Sequence, residues 1–190
     1  MAQIPSVKVE DGKGKVFNTS ELVDGETPMI ISFWAVTCKP CIRELDAIAE
    51  LYPDWIEEAN FRVVAVSTDD ARFTAQARSL AEGHGWSDYT LVYDKNGDFK
   101  RAMNVQFTPQ VYVVDKNGNI VYSHTGYTPG GEYEYYFRTK PWYRPNGTYN
   151  NQRDCYSQLT RTEWTNYELI KEVRAYKRYN DGGRSIWDSF

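Results

Sequence analysis

Cysteine, histidine and an excess of positive charge are what this sequence has least of, and each shortage removes a class of function. Three cysteines in 190 residues are too few to staple a domain with disulfides. Two of them share one Cys-x-x-Cys, a pattern of exchange chemistry or metal binding. The two histidines, His84 and His124, are isolated in the chain and read as surface or turn residues, not ligands. A net charge of −4 gives no clustered Lys and Arg to face phosphates, so nucleic acid is not an expected partner. No apolar run approaches the ~18 residues of a membrane span, and the run from Met29 to Val36 is only strand-sized. Met1 to Pro5 has neither the basic start nor the apolar stretch of a secretory signal, so none is expected within this chain. A hydrophobic content of 41% with 25% charged residues is ordinary for one globular core, with some length to spare.

What is present has a clear order. Residues 7–17 alternate apolar and polar around Gly12 and Gly14, which predicts a short hairpin. Met29 to Phe33 is a continuous apolar run and predicts a buried strand. From Pro40 the period changes: Ile42, Leu45, Ile48, Ala49, Leu51 and Trp55 recur at helical spacing, and Pro40 is early enough to be tolerated. Phe61 to Ser67 predicts a second strand, and Asp69-Asp70 the acidic start of a second helix. Tyr89 to Tyr93 reads as a strand, Phe99 to Met103 as a short helix and Val111 to Val114 as a strand. Asn117-Gly118 then supplies the positive φ angles of a tight turn into Ile120 to Tyr122. Parallel βαβ units giving way to a hairpin predict a mixed sheet flanked by helices. Glu132 to Thr139, ended by Pro141, reads as the last helix of the fold.

Beyond Gly131 the composition shifts. Residues 132–190 hold 14 of the 29 aromatics, which argues for packing and against a disordered tail. Trp164, Tyr167, Ile170, Val173 and Tyr176 form a stripe that predicts one amphipathic helix.

The chemistry concentrates at Cys38-Lys39-Pro40-Cys41. A Cys-x-x-Cys opening a helix puts its first sulfur at the helix N-terminus, where unpaired amides and the positive end of the dipole stabilise a thiolate. Cys38 is therefore the expected nucleophile and Cys41 the more buried resolving thiol. Lys39, projecting beside the sulfur, would favour the thiolate further. A zinc site needs about four ligands, and beyond the pair the chain offers Cys155, His84 and His124. Redox use is the expected one.

Phe33-Trp34-Ala35-Val36-Thr37-Cys38-Lys39-Pro40-Cys41 resembles the FWAxWCxPC motif of the thioredoxin superfamily. Glu44, three residues past Cys41, resembles the CxxCxxE of the TlpA/ResA-like thiol-disulfide oxidoreductases. Thr108-Pro109, followed by an apolar strand, is similar to the family's cis-proline loop. The resemblance covers residues from about Val7 to Thr139. It implies a thioredoxin-like three-layer α/β/α sandwich over residues 1–139 and an aromatic-rich extension over 140–190, packing on the domain or on a partner. It also implies a redox-active Cys38-Cys41 disulfide with no other cofactor and no metal, protein disulfides as substrates and an upstream dithiol donor. The implied address is periplasmic, or membrane-anchored and facing the periplasm.

For the remaining site residues the resemblance implies that Trp34, Lys39, Pro40, Thr108 and Pro109 form the substrate surface, with the Thr108 backbone pairing an extended peptide; Trp34 can be a core aromatic at the same time. Glu44 lies one turn past Cys41, where it can exchange a proton with it; plain compensation of the helix dipole is equally open. Two positions depart from the pattern. Thr37 replaces the aromatic that commonly precedes the first cysteine, leaving a smaller and more polar surface. Ser32 stands where plain thioredoxins carry a buried acid, which shifts proton handling towards Glu44. Competing expectations are a Cu(I) carrier built from the dithiol and His124, a partner-binding module acting through the aromatic extension, and a peroxidase, disfavoured because Thr37 adjoins Cys38 directly.

Overall fold

All six residues of Met29–Trp34 are buried, and a strand covered on both faces belongs in the middle of a sheet. The computed structural model describes residues 2–139; the stripe from Trp164 to Tyr176, Cys155 and everything else predicted for 140–190 lie outside the described residues. Seven strands form the sheet: β1 (Lys8–Asp11), β2 (Val16–Asn18), β3 (Met29–Trp34), β4 (Arg62–Ser67), β5 (Thr90–Tyr93), β6 (Gln110–Val114) and β7 (Ile120–Thr125). Their order is β2-β1-β5-β4-β3-β6-β7. β3 runs parallel to β4, and β4 to β5, whereas β6 is antiparallel to β3 and β7 to β6. Four α-helices stand among the described residues: α1 (Lys39–Glu58), α2 (Thr74–Gly83), α3 (Asp98–Ala102) and α4 (Glu132–Arg138). The mixed sheet between helical layers is the α/β architecture expected, and α4 is the helix expected at Glu132 to Thr139.

Alternation along β3 assigns the two layers. Met29, Ile31 and Phe33 join Val64, Val66, Phe99 and Met103 in one apolar cluster, with the Phe33 and Phe99 rings 5.1 Å apart. That face carries α3. The opposite face presents Ile30, Ser32 and Trp34 to α1, whose buried Leu45, Ile48, Tyr52 and Trp55 recur every three or four residues. Trp55 stacks on Tyr136 at 4.5 Å and so fastens α4 against α1. Burying each such aromatic contributes about 1.5–3 kcal/mol. Among the described residues no helix is long and apolar enough to cross a membrane.

Two local expectations are corrected. α2 begins at Thr74, not at Asp69-Asp70, because those acids are used in the preceding loop: the Asp70 carboxylate accepts from Arg72 N at 2.9 Å and Asp69 reaches back to the segment after β3. In the β6–β7 turn only Gly118 is left-handed, at φ 86°. The Asp115 carboxylate accepts from the amides of Asn117 and Asn119, both at 2.9 Å, which holds Asn117 out of that region.

Candidate active site

Three loops meet at one end of the sheet. The segment after β3 carries Cys38; the segment after β4 lies beside it because Trp34 pairs with Ser67. The segment before β6 lies on the other side because Phe33 pairs with Gln110. Cys38 is the N-cap of α1, and its sulfur accepts from Cys41 N at 3.3 Å. The two cysteines are joined as a disulfide. Cys38 is partly exposed and Cys41 is fully buried, so the sulfur nearer to solvent is also the one at the positive end of the helix. Lys39 and Thr37 are exposed and Pro40 is partly buried in the first turn.

The segment leading to Cys38 is clamped from β4. Val36 N donates to both Asp69 oxygens, at 3.0 and 3.3 Å, and Ser67 Oγ donates to the same carboxylate at 2.9 Å. Thr68 N and Thr68 Oγ1 both donate to the Trp34 carbonyl, at 2.9 and 3.1 Å. On the other side the Thr108–Pro109 peptide bond is cis, and the Pro109 carbonyl accepts from Gly126 N at 2.8 Å. Among the described residues no intramolecular hydrogen bond involves the Thr108 backbone.

Glu44 sits under the dithiol, in the second turn of α1 and 0% exposed. This corrects the reading of Glu44 as a first-turn acid balancing the helix dipole: the dipole acts within the first turn and at the surface, whereas this side chain faces the sheet. Ser32 Oγ donates to Glu44 Oε1 and Tyr135 OH to Oε2, both at 3.0 Å. Burial pushes the carboxyl up to about 7; the hydrogen bonds from Tyr135 and Ser32 oppose the shift and the charge of Glu132 adds to it. Glu132 is buried as well, accepting from Gly130 N at 2.9 Å and Tyr127 OH at 3.1 Å.

Trp34 is 1% exposed and meets Trp86 edge to face at 5.1 Å: it is a core aromatic, so any shaping of the substrate surface passes through the residues packed on it. Trp86 Nε1 donates to Asp46 at 2.9 Å, and Asp46 also contacts His84 Nδ1 at 2.9 Å. His84 is an exposed residue of the turn after α2, as expected, and pairs with Asp46 there. His124 packs on Tyr122 and Tyr135 rings, and among the described residues no three His, Cys, Asp or Glu side chains come together to hold a metal ion. The copper expectation that joined His124 to the dithiol finds no ligand cluster there.

Sequence reasoning missed Asp69, Tyr135 and Glu132 as neighbours of the site. Tyr135 is 91 positions from Glu44, and no periodicity or motif links the two. Asp69 was legible as an acid after a strand, but as a helix cap.

Comparison with known proteins adds an independent line. The family model described as Redoxin matches residues 2–136. A thioredoxin-like protein of Porphyromonas gingivalis, solved in solution, is 52% identical, with a TM-score of 0.63 over 70% of this chain and 86% of its own. The thiol-disulfide oxidoreductase ResA of Geobacillus kaustophilus is 30% identical over 52% of this chain and 54% of its own length. A thiol:disulfide interchange protein DsbE homolog of Paracoccus denitrificans is 27% identical over 65% of each. The matches thus span about half to two thirds of the length of these curated relatives.

Proposed function

The chain belongs to the Redoxin family, within the thioredoxin superfamily, and from that premise we propose that it is a thiol-disulfide oxidoreductase that reduces protein disulfides through Cys38 and Cys41. The observation that carries this reading is the placement of the pair: one sulfur at the N-cap of α1 and partly open, the other buried one turn deeper. In the reduced form, the Cys38 thiolate attacks one sulfur of a client disulfide. The client's other sulfur leaves as a thiol and a Cys38–client mixed disulfide forms. Cys41 then attacks Cys38 Sγ, releasing the second client thiol and regenerating the Cys38–Cys41 disulfide. Two electrons pass to the client and are restored by an upstream dithiol donor.

Cys41 must lose a proton before it can attack, and a buried thiol resists ionisation. Glu44, three residues on along the same helix face and titrating near neutrality, is the proposed acceptor, suited because a general base works best with its pKa near the working pH. Lys39 and Pro40 border the reactive sulfur, and the backbone of Thr108 beside cis-Pro109, unpaired among the described residues, is proposed to bind the client chain in an extended form. Trp34 supports the site from below. The proposed address is outside the cytoplasm, facing the periplasm, where disulfides are formed and persist.

The test is insulin reduction with a dithiol donor. The wild type should turn over, Cys38→Ser should not, and Cys41→Ser should accumulate mixed disulfides through Cys38. An inert wild type would remove the proposal.

A further inference from the structure

Among the described residues, four large hydrophobic side chains stand exposed: Val16, Ile56, Phe73 and Phe107. The two aromatic ones share a place. Phe73 lies on the loop after β4, Phe107 on the loop before β6, and these are the two segments flanking the strand that leads to Cys38. A scattered apolar residue on a surface needs no explanation, but Phe107 is 74% exposed and precedes cis-Pro109 and the Thr108 backbone, which has no hydrogen bond among the described residues.

The loop is built to keep it there. Met103 and Val105 are buried on one side of Phe107 and Pro109 on the other. Val105 N donates to the Lys100 carbonyl at 3.0 Å, the Met103 carbonyl accepts from Tyr112 OH at 2.7 Å, and the Pro109 carbonyl is tied to Gly126. With both ends of the loop anchored, the ring between them does not fold back into the core. On the loop after β3, the position before Cys38 is an exposed threonine, Thr37, which offers a client little apolar area. Phe73 is less open, at 44%, and the Arg72 guanidinium lies 5.7 Å from its ring centroid.

We propose that Phe107 is the specificity-determining residue of the site: its ring packs against a large apolar side chain beside the client's cysteine, so the preferred substrates are protein disulfides with such a neighbour. The proposal rests on the oxidoreductase reading above. An extended chain paired to Thr108 places its side chains on alternating sides, and one of them meets the Phe107 ring on the adjoining residue. Aromatic anchors of this kind dominate recognition energetics.

The test compares three substrates with wild type, Phe107→Ala, Phe107→Leu and Phe73→Ala: hydroxyethyl disulfide, a peptide disulfide with Leu beside the cysteine, and the same peptide with Gly there. Phe107→Ala should raise KM for the Leu peptide about tenfold, the effect of losing one anchoring side chain, with kcat and the rate on hydroxyethyl disulfide unchanged. Phe107→Leu should retain most of the affinity, and Phe73→Ala should behave as wild type. An unchanged KM in Phe107→Ala, an equal rise with the Gly peptide, or the same loss in Phe73→Ala would overturn the assignment to Phe107. A wild type that reduces none of the three substrates would instead overturn the oxidoreductase reading, and this proposal with it.

Discussion

Ser32 and Glu44 face each other between β3 and α1, with the serine hydroxyl donating to the carboxylate at 3.0 Å. The strand position that holds an acid in plain thioredoxins here holds a donor, and the acid comes from the helix instead. A buried carboxylate is therefore retained under the dithiol, supplied by the opposite element.

Burial lifts the Glu44 carboxyl from 4.5 to about 7, so between those values the folded chain keeps a proton that the unfolded chain releases. The stability is complete below about pH 4.5 and is lost as pH rises through about 7, a total of about 3 kcal/mol. Urea titrations of the oxidised protein should show this decline from pH 5 to pH 8, and Glu44→Gln should remove most of it. Parallel profiles for the two proteins would count against the assignment.

Tyr135 donates to the ionised form of Glu44 and so restrains the upward shift. Tyr135→Phe keeps the ring and deletes the donor. The fall in stability with pH should then extend to higher pH, with a cost at alkaline pH of about 1.5–3 kcal/mol for a lost bond to a charged group. A profile superimposable on the wild type would show that this bond does not govern the carboxyl.

Asp69 clamps Val36 N and is the point where β4 holds the segment that presents Cys38. Asp69→Ala leaves that amide without its acceptor, at about 1–3 kcal/mol, and loosens the approach to the nucleophile. In reduced protein the alkylation of Cys38 and the turnover of insulin should both slow roughly tenfold or more, as misplaced reacting groups do. Asp69→Asn, which keeps one oxygen, should recover part of the rate. Unaltered kinetics in Asp69→Ala would leave the clamp with a structural role alone.

Gly118 and Gly25 are both left-handed, at φ 86° and 79°, but only at Gly118 does an added Cβ meet a neighbour, Val23 Cγ2, at 3.0 Å. Alanine at either position pays about 1–3 kcal/mol in backbone strain. Thermal melts should therefore place Gly118→Ala below Gly25→Ala, and equal midpoints would show that Val23 yields freely.

Much of the sheet was readable because each strand announces itself locally. Met29 to Ile31 and Val63 to Val66 are apolar on both faces, and α1 carries its stripe in plain helical period. The boundary of α2 was misread because Asp69 and Asp70 have the chemistry of a cap, while the loop they stand in uses their oxygens before the helix begins. Trp34 was left between core and substrate surface for a related reason: a motif says which residue is present and not which way it faces, and Trp86, 52 positions later, closes over it.

The order of residues alone determined the dithiol and its asymmetry, because two sulfurs three positions apart at the start of a helix are held in that relation by covalent geometry and one turn of backbone. Whether Glu44 could serve them was decided elsewhere. The ionisation of a carboxyl depends on how much water it loses and which donors replace it, and here those are Ser32, 12 positions before it, and Tyr135, 91 after. Only the folded chain brings three such distant segments within hydrogen-bonding distance.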